Sequence, residues 1–255
     1  MRNRIDAILD GISLASLHPS IFVQDIDCRP AERSVSTTTL AGRPGERIAA
    51  EQWKPAKVKI VLRILERDML IRRSVMDQVT AWAQGEMLQI SGRPGERLRV
   101  HCTSNPAITS VVEWVQEISL ELTAYNPPFW MSQTAARLAM TGSSGSGNLY
   151  VPGNAGDAPA EVTVTPKSTL DTITITVAGT QMTLSGIGAT TAQPLTISYD
   201  EEMRLRIRRG NVSVLDKRSA ASDDDLLAVC GKYNEVRYNA SGNVDISIAV
   251  RGRWI

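Results

Sequence analysis

The sequence predicts a mainly β protein, with one α-helix in an N-terminal domain over residues 1–141 and a β-sandwich in a C-terminal domain over residues 142–255. Three observations predict this class. Apolar and polar residues alternate in many short segments, which is the two-residue period of half-buried strands. A helical period occurs once, near residue 80. A glycine- and serine-rich run at residues 141–147 marks a change in composition, which we interpret as a flexible link.

The most regular segment is residues 112–130, which the pattern predicts to be one long strand that ends abruptly. Its apolar face consists of six even-numbered residues: Val112, Trp114, Ile118, Leu120, Leu122 and Ala124. Pro127 and Pro128 remove two ladder donors, so the strand cannot continue through them. Phe129 and Trp130 therefore follow directly after a forced stop.

Shorter elements precede this segment. Strands are predicted at residues 9–14, 21–26, 35–40 and 58–64. The period then becomes helical, with Ser74 as the predicted N-cap and Asp77 near the positive end of the helix. The predicted buried face of this helix consists of Val75, Val79, Trp82 and Ala83, which come just before Gly85.

The hexapeptide Gly-Arg-Pro-Gly-Glu-Arg occurs twice, at residues 42–47 and 92–97. The second copy is predicted to connect two strands of a hairpin, with Pro94 and Gly95 at the centre of a type II turn within a longer loop. Two interpretations remain open. The motif is either a reused turn, or it presents matched basic tips to a neighbouring subunit through Arg43, Arg47, Arg93 and Arg97.

The C-terminal domain contains eight short strand candidates, which together predict a jelly-roll-like sandwich. They are residues 162–164, 172–177, 182–184, 195–199, 203–207, 212–215, 235–238 and 244–250. Within the fifth candidate, Arg204, Arg206 and Arg208 alternate with apolar residues and form a basic stripe on one strand face. This stripe either blocks edge-to-edge pairing or docks an acidic partner protein.

Composition argues against several function classes. The formal charge of +1 gives no general reason to expect nucleic acid or an anionic membrane as the partner. No segment has the roughly eighteen apolar residues of a spanning helix, and Asp6 and Asp10 interrupt the start where a signal peptide would be apolar. We therefore expect a chain that is made and kept in the cytoplasm.

Catalytic and metal-binding patterns are weak in this sequence. Cys28, Cys102 and Cys230 are odd in number and far apart, which argues against disulfides or a zinc cluster. The pair His101-Cys102 would point to opposite faces of a strand. Three successive aspartates at residues 223–225 lack the alternating ligands of a calcium loop. We predict no cofactor, no metal and no enzymatic activity.

Several motifs, taken in order, resemble the distal tail proteins of long-tailed bacteriophages and prophages over nearly the whole chain. They are residues 9–14, Val-x-Asp-Ile at 23–26, the glycine turn at 42–45, the strand and helix at 58–83, the ending at 125–130, the entry loop at 154–159 and the Arg-Gly-Arg-Trp terminus at 251–254. A looser sequence at residues 230–234 departs from the turn that the family often has before its last strands.

The resemblance implies a β-barrel-like belt domain with one helix, a galectin-like or jelly-roll domain after it, and a homo-hexameric ring. It also implies a structural hub that joins the tail tube protein to a tail tip protein, with receptor-binding proteins as further partners. The expected location is the tail tip of the virion, assembled in the host cytoplasm. DNA would pass through the ring without sequence-specific binding.

A ring needs one repeated heterologous contact, built from strand edges, hairpins and aromatic anchors. The candidate interface residues are Arg43, Glu46, Arg47, Trp53, Arg93, Glu96, Arg97, Phe129, Trp130, Arg204, Arg206 and Arg208. Core packing is an equal or better interpretation for each tryptophan. The alternative function is a carbohydrate- or receptor-binding module, against which the few aromatic residues of the second domain argue.

Overall fold

A computed structural model describes residues 5–39, 46–103, 106–200 and 202–255. The chain divides into two compact units. The N-terminal unit ends at Trp130 and includes Ile255, and the C-terminal unit is Met131–Trp254. The predicted fold class is confirmed, since the described residues are mostly β-strand with a single α-helix, which lies in the N-terminal unit.

The described residues of the N-terminal unit form eleven strands, the helix and one 3-10 turn at Leu14–Ser16. The strands are β1 Ala7–Leu9, β2 Ile12–Ser13, β3 Ile21–Arg29, β4 Arg33–Thr39, β5 Glu46–Trp53, β6 Ala56–Leu65, β7 Met87–Ile90, β8 Glu96–Arg99, β9 His101–Cys102, β10 Ala107–Val112 and β11 Val115–Ala124. The helix α1 is Met69–Trp82. A short strand, β12 Trp130–Ser132, begins at the end of this unit.

The main sheet of the N-terminal unit is antiparallel and has five strands. Four of them follow the order β10-β11-β6-β3, and β9 also pairs with β11. Strands β11 and β6 pair from Val115 opposite Leu65 to Ala124 opposite Ala56 without a break. The two-residue period buries one face of this pair and leaves the other face polar. The buried face consists of Ala56, Val58, Ile60, Leu62 and Ile64 on β6 and Ile118, Leu120, Leu122 and Ala124 on β11.

The predicted strand at residues 112–130 is wrong at its start. Val112 ends β10 and pairs with Val115, so Glu113 and Trp114 form a two-residue hairpin turn and Trp114 is exposed. The preceding residues 107–112 supply the partner strand, which the alternation alone could not reveal. The predicted stop is confirmed, because β11 ends at Ala124 before the two prolines.

The helix begins earlier than the sequence predicts. Its N-cap is Asp68, whose carboxylate accepts hydrogen bonds from the backbone N–H groups of Leu70 at 2.8 Å and Ile71 at 3.3 Å. The first turn is apolar but exposed, so it shows no helical period, and Ser74 lies inside the helix. The predicted buried face is confirmed, since Val75, Val79, Trp82 and Ala83 are all buried.

The second copy of the hexapeptide forms the predicted hairpin loop between β7 and β8. Strands β2, β1, β7 and β8 pair in that order. The N–H of Glu96 donates to the carbonyl of Arg93, and Gly95 has φ +80°, as the third position of a type II turn requires. The loop of residues 91–95 is longer than a two-residue turn, as expected.

The C-terminal unit consists of ten further strands and a 3-10 turn at Leu215–Lys217. They are β13 Ala136–Val151, β14 Asp157–Pro166, β15 Leu170–Val177, β16 Thr180–Ala189, β17 Leu195–Tyr199, β18 Leu205–Arg209, β19 Val212–Ser213, β20 Leu227–Val229, β21 Lys232–Val250 and β22 Arg253–Trp254. Seven of them follow the order β16-β15-β21-β14-β17-β18-β19, while β13 pairs with β21 and β20 with β14.

Strand β21 organises this unit. Its first part pairs with β15 and its second part with β14, while β13 pairs with it along both parts. The sequence predicts two separate strands here, because residues 240–243 are Ala-Ser-Gly-Asn, a composition typical of turns. In the structure these residues stay extended and mark the point where β21 changes partner.

The predicted flexible link at residues 141–147 is also wrong, and the predicted domain boundary at residue 141 falls inside β13. The small residues permit close packing. A Cβ at Gly145 would lie 2.8 Å from Cε1 of Tyr238, and a Cβ at Gly147 would lie 3.1 Å from Cδ2 of Leu138. Glycine therefore serves here to admit neighbouring side chains into a paired strand.

We predict that Asp68→Ala lowers the free energy of unfolding by about 1 kcal/mol, because two N–H groups of the first helical turn lose their acceptor. The control is Ser74→Ala, at the N-cap that the sequence suggests. Its effect should stay within about 0.5 kcal/mol, since Ser74 is an exposed interior residue of α1. Urea unfolding of both variants measures the difference, and a larger loss for Ser74→Ala would contradict the observed helix start.

Candidate assembly surfaces

The polar face of the five-stranded sheet carries equal numbers of positive and negative side chains. In register they are the cations Arg29, Lys57, Lys59 and Arg63 and the anions Asp25, Asp27, Glu117 and Glu121. Lys57 Nζ lies 2.6 Å from Glu121 Oε1, and Arg63 Nη2 lies 3.0 Å from Glu117 Oε2. The hydrogen bond and charge of Lys57 lower the pKa of Glu121. This face is at least partly exposed to solvent, and its positive and negative charges are equal in number.

Both outer strands of this sheet have an open edge. In the described parts of the chain, no strand pairs with the far side of β3 or of β10. Strand β10 has the sequence Ala-Ile-Thr-Ser-Val-Val, without the lysine or proline that commonly protects an edge, and Ile108, Val111 and Val112 are exposed. An open apolar edge of this kind is suited to pairing with another strand.

An apolar patch lies where α1 begins next to the β10–β11 turn; we call it the end patch. It comprises Met69, Leu70, Ile71, Val112 and Trp114, all exposed, with Leu70 at 78 %. The buried Arg72 connects its two parts, because its Nη1 donates to the carbonyl of Glu113 at 2.6 Å. The N–H of Glu66 donates to the carbonyl of Trp114 at 3.2 Å. The patch is therefore held in one arrangement.

Strands β4 and β5 form a separate two-stranded ribbon, which we call the arm. Every described side chain from Arg33 to Thr39 and from Arg47 to Trp53 is exposed. At its base, Trp53 packs edge-on against Phe129, with ring centroids 5.1 Å apart. A two-stranded ribbon is marginally stable alone, so the arm is suited to lie against a partner.

The two hexapeptide copies have different surroundings. Arg43 lies outside the described residues, Glu46 begins β5, and Arg47 is exposed on the arm. In the second copy, Arg93, Glu96 and Arg97 are half-buried. Arg93 pairs with Glu96 at 3.1 Å, lies 5.2 Å from the ring centre of Trp130, and donates to the carbonyl of Ile255 at 3.2 Å. The second copy is therefore a packed corner of the N-terminal unit.

The three aromatic interface candidates also differ in their exposure to solvent. Phe129 and Trp130 are only 5 % and 3 % exposed. Trp130 therefore packs in the core, which was the alternative to an interface role. Trp53 is 38 % exposed. Among these three residues, Trp53 is the one whose ring remains accessible to a partner.

The predicted basic stripe is present on the C-terminal unit. Arg204, Arg206 and Arg208 are all exposed, with Arg204 just before β18. Arg206 pairs with Asp200 at 3.1 Å, and Arg204 pairs with Glu202. Hydrogen bonds from the Arg204 backbone and the Arg206 side chain lower the pKa of Asp200. Local acidic residues thus offset much of the positive charge of the stripe.

The catalytic alternatives find little geometric support. His101 pairs with Thr123 and Cys102 with Leu122, so their side chains leave β9 on opposite faces. Asp223 accepts a hydrogen bond from the N–H of Gln181, which gives the acidic loop a structural role. Across the ranges that the structure describes, no cluster of three or more histidine, cysteine or acidic residues could hold a metal, and no helix could cross a membrane.

No protein-family model and no curated protein matches the chain. Several solved structures share its fold, and two of them are described here. The Dit protein (gp 19.1) of SPP1, a paradigm of the hub adsorption apparatus in phages that infect Gram-positive bacteria, is 11 % identical, with a TM-score of 0.74 and coverage of 97 % of this chain and 98 % of that one. A chain of the phage p2 baseplate in its activated conformation with Sr is 6 % identical, with a TM-score of 0.51 and 97 % coverage of both chains.

The chain has the fold of SPP1 Dit. The predicted resemblance to distal tail proteins is therefore confirmed for the fold, over nearly the whole length. The sequence did not reveal the open edge of β10 or the end patch, because residues 107–115 were not recognised as a hairpin. That Trp114 is exposed in the turn of this hairpin could be seen only in the structure.

We predict that Trp53→Ala frees the base of the arm and lowers the free energy of unfolding by about 1 kcal/mol, because the ring contact with Phe129 is lost. Limited trypsin digestion should then cut the arm faster than in the wild type. Ile48→Ala, on the same ribbon and also exposed, is the control and should leave both readouts unchanged. Equal effects of the two variants would show that Trp53 does not anchor the arm.

Proposed function

We propose that the chain is a structural hub at the distal end of a phage tail, where it forms a hexameric ring between the tail tube and the tip. The observation that carries this proposal is the Dit fold together with a sheet whose two edges are unpaired by any described strand. The role is architectural, with no catalysis. The protein belongs to the virion tail tip and assembles in the host cytoplasm.

Strand directions favour closure of the ring through this sheet. Neighbours in the order β10-β11-β6-β3 are all antiparallel, so β10 and β3 run in opposite directions. When β10 of one copy lies beside β3 of the next, the new pair is antiparallel as well, and the sheet continues from copy to copy. A closed ring of such sheets leaves no edge exposed.

The two faces of the sheet then have fixed roles. The apolar face is buried in the core of its own unit, so the polar face lines the channel. Equal positive and negative charge on that face gives DNA phosphates no basic surface to bind, which suits passage without gripping.

The remaining surfaces supply the other contacts. The arm lies against the neighbouring copy, which provides the partner that an isolated ribbon lacks. The end patch docks the tail tube protein or the tail tip protein, because a ring must be held along its axis as well as around it. The Arg204–Arg208 stripe, on the separate C-terminal unit, remains a candidate contact for an acidic partner such as a receptor-binding protein.

A charged residue introduced on the β10 edge tests whether copies join through this strand. Ile108→Lys should prevent strand pairing between copies and shift the mass measured by sedimentation from six times the 27.8 kDa of one chain to that of a single chain. Val212→Lys is the matched control, since Val212 is equally exposed and lies on the edge strand β19 of the C-terminal unit. It should leave the ring intact.

Two outcomes would overturn the proposal. One is a wild-type chain that stays single both alone and with the tube protein of the same phage. The other is an Ile108→Lys variant that forms rings as readily as the wild type.

A further inference from the structure

Two exposed tyrosines touch each other on the outer face of the C-terminal unit. Tyr150 on β13 pairs in register with Tyr233 on β21, and their ring centroids lie 5.1 Å apart with the ring planes inclined at 51°. Tyr233 is 76 % exposed and Tyr150 is 48 % exposed. Large aromatic rings are seldom left in water together, so this pair presents a ready apolar platform.

The same face continues from the platform as a row of polar side chains. Moving along the β13–β21 ladder, the next pairs are Asn148 with Glu235, Ser146 with Arg237, and Ser144 with Asn239. All six side chains are exposed. Successive pairs are about 7 Å apart, so the row extends roughly 20 Å from the tyrosines.

This row borders an open groove of about 550 Å³, which also contains Thr174 and Thr176 of β15. The groove is shallow because serine and glycine alternate along β13. Among the described residues that line it, the charged ones are Arg237 and Glu235, which pair with each other at 2.6 Å. The groove therefore offers hydroxyl, amide and paired charged groups, with no net charge.

We propose that this face binds a neutral oligosaccharide, with the Tyr150–Tyr233 platform stacking on a sugar ring and the groove donating and accepting hydrogen bonds. A sugar presents one apolar C–H face and many hydroxyl groups, which match the platform and the groove. A protein partner would need a wider apolar centre. A nucleic acid would need unpaired positive charge.

The sequence argued against this site because the second domain has few aromatic residues. The structure brings two of them together from positions 150 and 233, which no local pattern could show. This inference goes beyond the hub role, since it adds recognition of a surface polysaccharide to a structural protein. It does not depend on ring formation.

The experiment uses the full chain on an array of neutral and anionic oligosaccharides, followed by calorimetric titration of the neutral oligosaccharide that binds best. Tyr233→Ala should weaken binding by roughly tenfold, and Tyr150→Ala by a similar factor, because each removes one stacked ring. Tyr233→Phe keeps the ring and should retain most of the affinity. Tyr125→Ala, at a similarly exposed tyrosine of the N-terminal unit, should change nothing.

Thermal unfolding of each variant shows whether it still folds, and sedimentation shows whether it still assembles. A loss of sugar binding can then be told apart from a loss of folding or assembly. Binding of anionic oligosaccharides alone, no binding on the array, or equal binding by wild type and Tyr233→Ala would each overturn the proposal. If the variants lose sugar binding while their mass in solution is unchanged, the site stands whether or not the hub proposal does.

Discussion

The unbroken pairing of β6 with β11 is the constraint on which the N-terminal unit depends. From Val115 opposite Leu65 to Ala124 opposite Ala56, one register decides which side chains are buried and which face water. A slip by one residue would exchange the two faces, burying Lys57, Lys59 and Arg63. The same register sets the charge balance of the polar face and leaves β10 and β3 as the outer strands. The core and the proposed assembly surface therefore both depend on the pairing of these two strands.

In the C-terminal unit, too, one long strand pairing decides which side chains are buried and which are exposed. Strand β13 pairs with β21 on both sides of a register shift between Gly142 and Ser144, so small residues can occur in a strand without loosening it. Gly145 faces inward and admits the ring of Tyr238, while Ser144 and Ser146 face outward and keep the groove shallow. The inward side makes a core, and the outward side makes the face that we propose to bind a saccharide.

The sequence could predict the elements whose signal is local. The stop after Ala124, the buried face of α1 and the turn at Gly95 each depend on a period or a residue type within a few positions. It could not predict features that depend on distant partners. Trp114 was placed in a strand because its hairpin partner was unrecognised, and the Tyr150–Tyr233 platform joins residues far apart in the chain. At residues 141–147 the glycine- and serine-rich composition wrongly predicted a flexible link, whereas these small residues allow close packing within β13.

We propose that neighbouring copies join through the edges of the five-stranded sheet. Electron cryo-microscopy of the assembled protein tests this most directly, because it shows which strands meet at the boundary between copies. We predict a closed ring in which β10 of one copy pairs antiparallel with β3 of the next and the charge-balanced face lines the channel. A ring held together by other elements, with β10 and β3 facing solvent, would contradict it.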